Sequence, residues 1–399
     1  MKKPIFIYFL IVTLDSISFG LIAPIVAPLL TQAHIFFSTF SSQFFSYLFY
    51  GLLLSSFHLS FMMGAPLFGI LSDHFGRKKI LLTCLYLTLI AFSFYIVAFI
   101  QNSIFFLVIA RVLSGLSAGS QSVAQAAIVK HSKQYNKPTV ISFIAVGMTM
   151  GLVVGPLLSS LWSVSMLWLP FVIVLLLTTL NIFMLTIFLN EEKISRKEDI
   201  AESNYKNILK NNEVRRLLVI FFFFELGWSL FYQALPLWIN LQWHIKNPKL
   251  GLVQSYVGII LVMSLCFAAK IALKFISPNR LIATGFIVGV IALISLYFQT
   301  EFSVFLLTVL PIVLTVAFVY PRLVSSLSDI SSDKQQGLIM GMTNALLALS
   351  FSITGLFSSI LTFFNISLPF IVAAIFWITA NIIYIKSYRK LRLCNSVLT

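Results

Sequence analysis

Asp15, His58, Arg111 and Glu225 are among the ionisable residues that stand inside long apolar runs of this chain. A charge in hydrocarbon is costly, so such residues face a bundle interior or a hydrated cavity, and they mark ion or substrate paths. Arg111 lies eight residues beyond Ser103, about 12 Å in from one face of the membrane at 1.5 Å per residue. Asp15 lies ten residues beyond Ile5, about 15 Å in from the opposite face. In a hydrocarbon core about 30 Å thick these depths nearly coincide. Two chemistries fit: a structural Asp15–Arg111 ion pair, or a proton or substrate site whose charge responds to access. Glu225 follows Phe221-Phe222-Phe223-Phe224, about 12 Å in from Leu217. Two readings fit Glu225: a proton-carrying carboxyl buried beside four rings, or a neutral acid bonded to a neighbouring helix. Trp228, Tyr232 and Gln233 follow at i+3, i+7 and i+8, on or near the same helix face, and are candidate substrate contacts. His58, alone among apolar residues, is expected to be a satisfied structural group.

The elements that must position these groups are membrane spans. The chain has 399 residues, 59% hydrophobic and 10% charged, with a mean hydropathy of +0.99. Apolar runs of this length read as transmembrane helices, and their continuity argues against a barrel. Twelve spans are predicted, at about 5–30, 47–72, 80–100, 104–130, 139–162, 166–189, 215–240, 250–272, 281–299, 303–326, 338–363 and 367–388. The class is all-α integral membrane. The net charge of +15 is then a topology signal rather than a nucleic-acid signal. All Lys and Arg except Lys246, Lys249, Arg111 and Arg322 fall on one side of the predicted spans. By the positive-inside rule both termini are cytoplasmic. The N-terminus resembles a signal peptide at first, but its apolar run continues past Asp15 to Leu30 with no small-x-small cleavage site, so it is read as a retained first span. Cys84, Cys266 and Cys394 have no metal spacing and imply no disulfide framework.

The polar stretch Asn190 to Glu213 divides the spans into six plus six, giving an N-terminal bundle over 1–189, a cytoplasmic linker over 190–214, a C-terminal bundle over 215–388 and a tail over 389–399. Within the linker, Tyr205 to Lys210 is a candidate short surface helix. A shift of 200 residues aligns 121–161 with 321–361 without a gap, and the first and seventh spans each carry an acid followed by a Pro: Asp15 with Pro24, Glu225 with Pro236. Duplicated halves with a site near the midplane are the usual construction of secondary transporters.

Two segments carry recognisable spacing. The turn after the second span reads Gly69-Ile70-Leu71-Ser72-Asp73-His74-Phe75-Gly76-Arg77-Lys78-Lys79. Gly69 permits close helix approach, Gly76 permits a tight reversal, and Arg77 with the two Lys holds the turn at an anionic leaflet. Asp73 can bond the free N–H groups of a helix start or pair with a base. The fifth span reads Gly147-x-x-x-Gly151-x-x-x-Gly155-Pro156-x-x-Ser159-Ser160, which aligns small residues along one stripe and bends at Pro156.

The turn resembles the loop between helices 2 and 3 of the major facilitator superfamily, G-x-x-x-D-R-x-G-R-K, with His74 where that family usually has Arg. Ala110-Arg111 to Gly115 resembles its helix-4 pattern R-x-x-x-G. The fifth span resembles the antiporter motif G-x-x-x-G-P-x-x-G-G, with Ser159-Ser160 in place of the last glycines. Leu14-Asp15 to Pro24 resembles the first helix of tetracycline/proton antiporters and related drug exporters. The acids that tetracycline antiporters carry in helices 3 and 9 are absent, so tetracycline is a doubtful substrate.

The resemblance implies two six-helix bundles of the major facilitator fold and a turn, through Gly69, Asp73, Gly76 and Arg77, that latches the halves. It implies proton-coupled export of small amphipathic molecules, with Asp15 and Glu225 carrying protons and Arg111 tuning them and pairing with an anion. It also implies a monomer in the cell's inner membrane, with no enzyme activity, cofactor, metal or nucleic acid. Import of a nutrient or metal chelate by proton symport is the alternative within the fold. A non-transport membrane enzyme or receptor is the alternative outside it, although no phosphate loop, metal spacing or nucleophile–base set occurs.

Overall fold

The computed structural model describes residues 3–31, 42–131, 137–161, 166–189, 210–246, 249–330 and 336–397. Among the described residues, twelve helices are long and apolar enough to cross a membrane: α1 Ile5–Leu30, α2 Gln43–Phe75, α3 Arg77–Gln101, α4 Ile104–Ile128, α5 Phe143–Ser160, α6 Leu169–Phe188, α7 Asn212–Trp243, α8 Lys249–Ala268, α9 Asn279–Phe298, α10 Phe302–Leu327, α11 Gly341–Phe364 and α12 Leu368–Lys386. In lipid a helix satisfies its backbone within itself, which is why continuous apolar runs fold this way. Large exposed side chains such as Met63, Phe105, Phe183, Ile291 and Leu307 lie on the outer surface. The interior mixes aliphatic and aromatic side chains with small residues and buried polar ones.

Helices α1 to α6 pack on one another, as do α7 to α12, except that α8 leans mainly on α5 of the first half. The halves meet where α2 packs on α11, α5 on α8 and α1 on α7. Consecutive spans alternate direction, so the side of the membrane bearing the chain ends also carries the α2–α3 turn. This is called here the terminal side, and the other the distal side.

Three local features depart from the expected spans. First, α4 is not continuous: it runs Ile104–Ser117, breaks at Ala118–Gly119 and resumes at Ser120–His131. Here α2 and α4 touch backbone to backbone, since a Cβ on Gly64 would stand 2.4 Å from the Leu116 carbonyl oxygen. Ser114 and Ser117 donate to the carbonyls of Arg111 and Ser114, both at 3.0 Å, which bends helices. Second, α8 contains a π-helical segment at Ser264–Ala268 before the helix resumes at Ala269–Phe275. Third, the last helix does not stop near residue 388 but continues to Val397, so the expected tail over 389–399 is largely helical. Lys210 is described, but the rest of the candidate helix Tyr205 to Lys210, like most of the expected linker, lies outside the described residues.

The turn after α2 is a single residue. Gly76 sits at φ +93°, which L side chains rarely adopt, and α3 starts at the next residue. Lys78 Nζ donates to the Thr186 carbonyl at 2.9 Å and to that of Leu189, satisfying the free carbonyls at the end of α6. Asp73 is exposed, and Arg77 is half-buried with one guanidinium nitrogen buried and unpartnered. The expectation for Gly69 is corrected: a Cβ there would meet only Ser122 Oγ, at 4.0 Å. The close approach of α2 falls at Gly64 instead.

Burial divides by side. One continuous apolar core joins the distal part of the first half (Leu21, Tyr50, Phe57, Phe171) to the second half (Phe231, Val257, Phe351, Trp377). On the terminal side the halves keep separate clusters: Tyr8, Leu81, Ala124 and Leu185 in one, Val214, Leu218, Leu327 and Ile339 in the other.

Candidate functional site

A cavity of about 130 Å³ lies between the halves. The first half contributes Asp15, Phe19, His58 and Gln121 among others; the second contributes Glu225, Trp228, Tyr320 and Phe351. The wall is thus aromatic and apolar with a few converging polar groups, the usual make-up of a small-molecule site. The structure therefore brings together Asp15, Glu225 and Trp228. It does not bring Arg111, Tyr232 or Gln233 to the same surface.

Asp15 is 4% exposed and accepts a hydrogen bond from Ser120 Oγ. Its helix neighbour Ser16 accepts from Gln121 Nε2 at 3.3 Å. Both partners follow the break in α4, which turns Ser120 and Gln121 toward α1. The α5 glycines set the position of Asp15 from the other side. A Cβ on Gly151 would stand 2.1 Å from Ser16 Cβ, and one on Gly155 2.8 Å from the Ile17 carbonyl oxygen. A Cβ on Gly147 would meet the Phe9 ring at 3.0 Å. The stripe Gly147, Gly151, Gly155 thus seats α1 against α5 around Asp15, and the Pro156 ring packs 3.0 Å from where a Gly20 Cβ would be.

The serines that replace the last motif glycines have a counterpart across the interface. A Cβ on Gly251 of α8 would lie 2.3 Å from the Pro156 carbonyl oxygen and 2.6 Å from Ser159 Oγ. The small residue needed at this crossing is supplied by α8 rather than α5. Ser255 Oγ donates to the Val153 carbonyl at 3.0 Å one turn further along.

Glu225 is 2% exposed, and its Oε2 is buried without a partner. Trp228 stands one turn away on the cavity wall, with Tyr232 behind it at 5.6 Å between ring centroids. Gln233 has a different task from the expected substrate contact. Its Nε2 donates to the Phe351 carbonyl and to Thr354 Oγ1, both at 2.9 Å, tying α7 to α11.

Arg111 forms no ion pair with Asp15. It is fully buried; its Nε donates to the Leu53 carbonyl at 2.9 Å, and its guanidinium carbon lies 4.8 Å from the centre of the Phe57 ring. One guanidinium nitrogen, Nη1, has no partner. A buried cation is tolerated here by carbonyl dipoles and a ring face rather than by an anion. The ion pair with Asp15 is absent, and Arg111 does not line this cavity.

The expectation that His58 is satisfied is also corrected. It is 5% exposed and neither ring nitrogen has a hydrogen-bond partner. Sequence reasoning passed over Ser120, Gln121, Tyr320 and Phe351. Three successive polar residues, Ser120-Gln121-Ser122, inside an apolar run were the available signal for the first two. Nothing in the local sequence distinguishes Phe351 from the many other Phe. Among the described residues, no group of His, Cys, Asp and Glu could hold a metal ion.

Comparison with known proteins agrees with this architecture. Over 380 residues the chain is 26% identical to the class B tetracycline resistance protein of Escherichia coli, covering 90% of this chain and 88% of that one. It is 28% identical to the class H protein of Pasteurella multocida over 54% of this chain and 51% of that one. It is 24% identical to multidrug resistance protein 2 of Bacillus subtilis, covering 93% and 92%. Among solved structures, the human organic anion transporter MFSD10 superposes with a TM-score of 0.72 at 19% identity, covering 96% of this chain and 99% of that one. The partially occluded, inward-open xylose transporter XylE of E. coli superposes with a TM-score of 0.74 at 15% identity, covering 96% and 97%. The pattern of the Major Facilitator Superfamily matches residues 8–316 and 217–392. This chain, a multi-pass membrane protein of twelve helices, therefore belongs to the Major Facilitator Superfamily.

Proposed function

We propose that the protein is a proton-coupled exporter of small amphipathic organic molecules, working by alternating access between an N-terminal bundle (1–189) and a C-terminal bundle (from about 215). The observation that carries this reading is the cavity shared by both bundles, with one buried acid on each side of it. Asp15 and Glu225 exchange protons with whichever side hydrates the cavity. A ligand competing for the same carboxyls makes the exchange obligatory. His58 is the one basic side chain on the described wall, so the cavity suits neutral or cationic molecules with an aromatic or aliphatic body better than anions. The tetracycline and multidrug resistance relatives support export over import. Arg111 holds α4 against α2 and contributes charge at a distance. The Gly69, Asp73, Gly76 and Arg77 turn acts as a latch between states. The protein works as a monomer in the inner membrane with its termini in the cytoplasm, following the positive-inside distribution.

The test is flux in reconstituted vesicles under an imposed pH gradient, screened first with a panel of lipophilic amines. Asp15→Asn and Glu225→Gln are expected to insert normally and to abolish gradient-driven flux. Full gradient-driven flux in both variants contradicts the assignment. Accumulation of the panel into cells that express the protein, rather than exclusion, selects import instead.

A further inference from the structure

The cavity ends distally in a plug of rings drawn from both halves. Phe19 of α1 and His58 of α2 stand 4.5 Å apart, edge to face. His58 and Phe351 of α11 are 4.7 Å apart, and Phe19 and Phe351 5.4 Å. Tyr232 of α7 closes the group at 5.8 Å from Phe19, and Phe57 flanks His58 at 5.1 Å. Phe19 is one turn further from the terminal side than Asp15, about 6 Å at 1.5 Å per residue. Tyr232 is about 10 Å further along its helix than Glu225 by the same rise. The plug therefore lies between the two acids and the distal side.

Two members of this plug bury unmet polar atoms. Tyr232 leaves one hydroxyl without a partner, and the imidazole of His58 carries more, a donor and an acceptor when neutral and two donors when charged. Both His58 nitrogens are buried without partners. An unmet buried polar group costs about 1–3 kcal/mol, and an unmet charge costs more. A Leu or Phe would close the plug at no such cost. The closed arrangement thus penalises His58 in its neutral form and penalises its charged form further. Parting the halves hydrates the ring and removes both penalties.

We propose that His58 is a proton-accepting latch in the distal gate: it takes a proton when the plug parts, and the charged ring prevents the plug from re-forming until the proton leaves. Ionisable groups face it from several neighbours. Asp15 of α1 and Glu225 of α7 share its cavity, as does Tyr320 of α10, while α11 presents only the Phe351 ring. Arg111 of α4 lies on the Phe57 ring beside it. A ligand that binds one of two states shifts their ratio by its occupancy of that state. A hydrated imidazole titrates near about 6.5. Lowering the pH from about 8 to about 5.5 should therefore raise the open-to-closed ratio of the distal side roughly tenfold.

The inference goes beyond the export reading and needs only that the halves part. The experiment measures spin-label distances between Gln43→Cys and Asn365→Cys, two exposed distal positions on α2 and just past α11, in the full chain in lipid nanodiscs with the native cysteines replaced. Acidification is expected to enlarge the long-distance population about tenfold. His58→Gln and His58→Phe should remove this response. His58→Gln keeps a polar side chain, so it also serves where His58→Phe fails to fold. A response that persists in His58→Gln, or is missing from the wild-type background, overturns the proposal. Loss of gradient-driven flux is read separately in vesicles, so failure of the export reading leaves this result standing.

Discussion

The distal and terminal sides of this protein are closed by different means. Distally the halves share one apolar core, the ring plug, and backbone crossings at α5–α8 and α2–α11. At the terminal side each half keeps its own cluster, and what joins them among the described side chains is a hydrogen bond from Asn344 Nδ2 to Gln125 Oε1 at 3.3 Å. Dense packing has two discrete arrangements, interlocked or apart, whereas a single polar contact yields gradually. In the proposed cycle the distal side is therefore the harder of the two to part.

Substitutions should separate the two sides. The largest effect is expected at the distal crossings. A Cβ on Gly51 would fall 2.1 Å from Ser359 Oγ and 3.0 Å from Leu356 backbone atoms, so Gly51→Val must push α2 off α11. Overpacking of this kind costs about 1–3 kcal/mol and should appear as a lower melting temperature in detergent and as a distal side that no longer closes. Gly251→Val at the α5–α8 crossing should behave alike. An intermediate effect is expected from Asn344→Ala. Removal of one hydrogen bond worth about 1 kcal/mol should raise terminal-side opening roughly fivefold, measured as faster thiol labelling near the inner ends of α4 and α11, with little change in melting temperature. The smallest effect is expected at Gly69→Ala. The space beside it is open out to 4.0 Å, so stability should not fall and should rise by at most about 1 kcal/mol, the helix-propensity gain of Ala over Gly. A large loss there would show that the turn packs more tightly in another state.

Depth was legible in the sequence and rotation was not. Hydropathy gave the twelve spans, and residue counts along them gave the shared depth of Asp15, Glu225 and Arg111. In lipid, however, the outward and inward faces of a helix are both apolar, so composition does not say which way a side chain points. Arg111 therefore sits at the expected depth but turns to the α2 backbone, and Gln233 turns to α11. The same ambiguity hid the true contact glycine of α2, Gly64 rather than Gly69. The break in α4 was missed because Ser114, Ser117 and Gly119 are individually compatible with a helix. It arises only when α2 presses its backbone against them. The α5 glycine stripe was readable because four-residue spacing fixes rotation as well as depth. The ring plug was unreadable because its members come from four helices, and the 40 Phe of the chain look alike in sequence.

The central claim is a cavity between the halves, holding Asp15 and Glu225 and reachable in the resting protein from the terminal side alone. The most direct measurement is labelling of Ala145→Cys, a position on the cavity wall, by a membrane-impermeant maleimide applied to vesicles of either orientation. The account predicts labelling from the terminal side and protection from the distal side. Labelling from the distal side, or none from either, would contradict it.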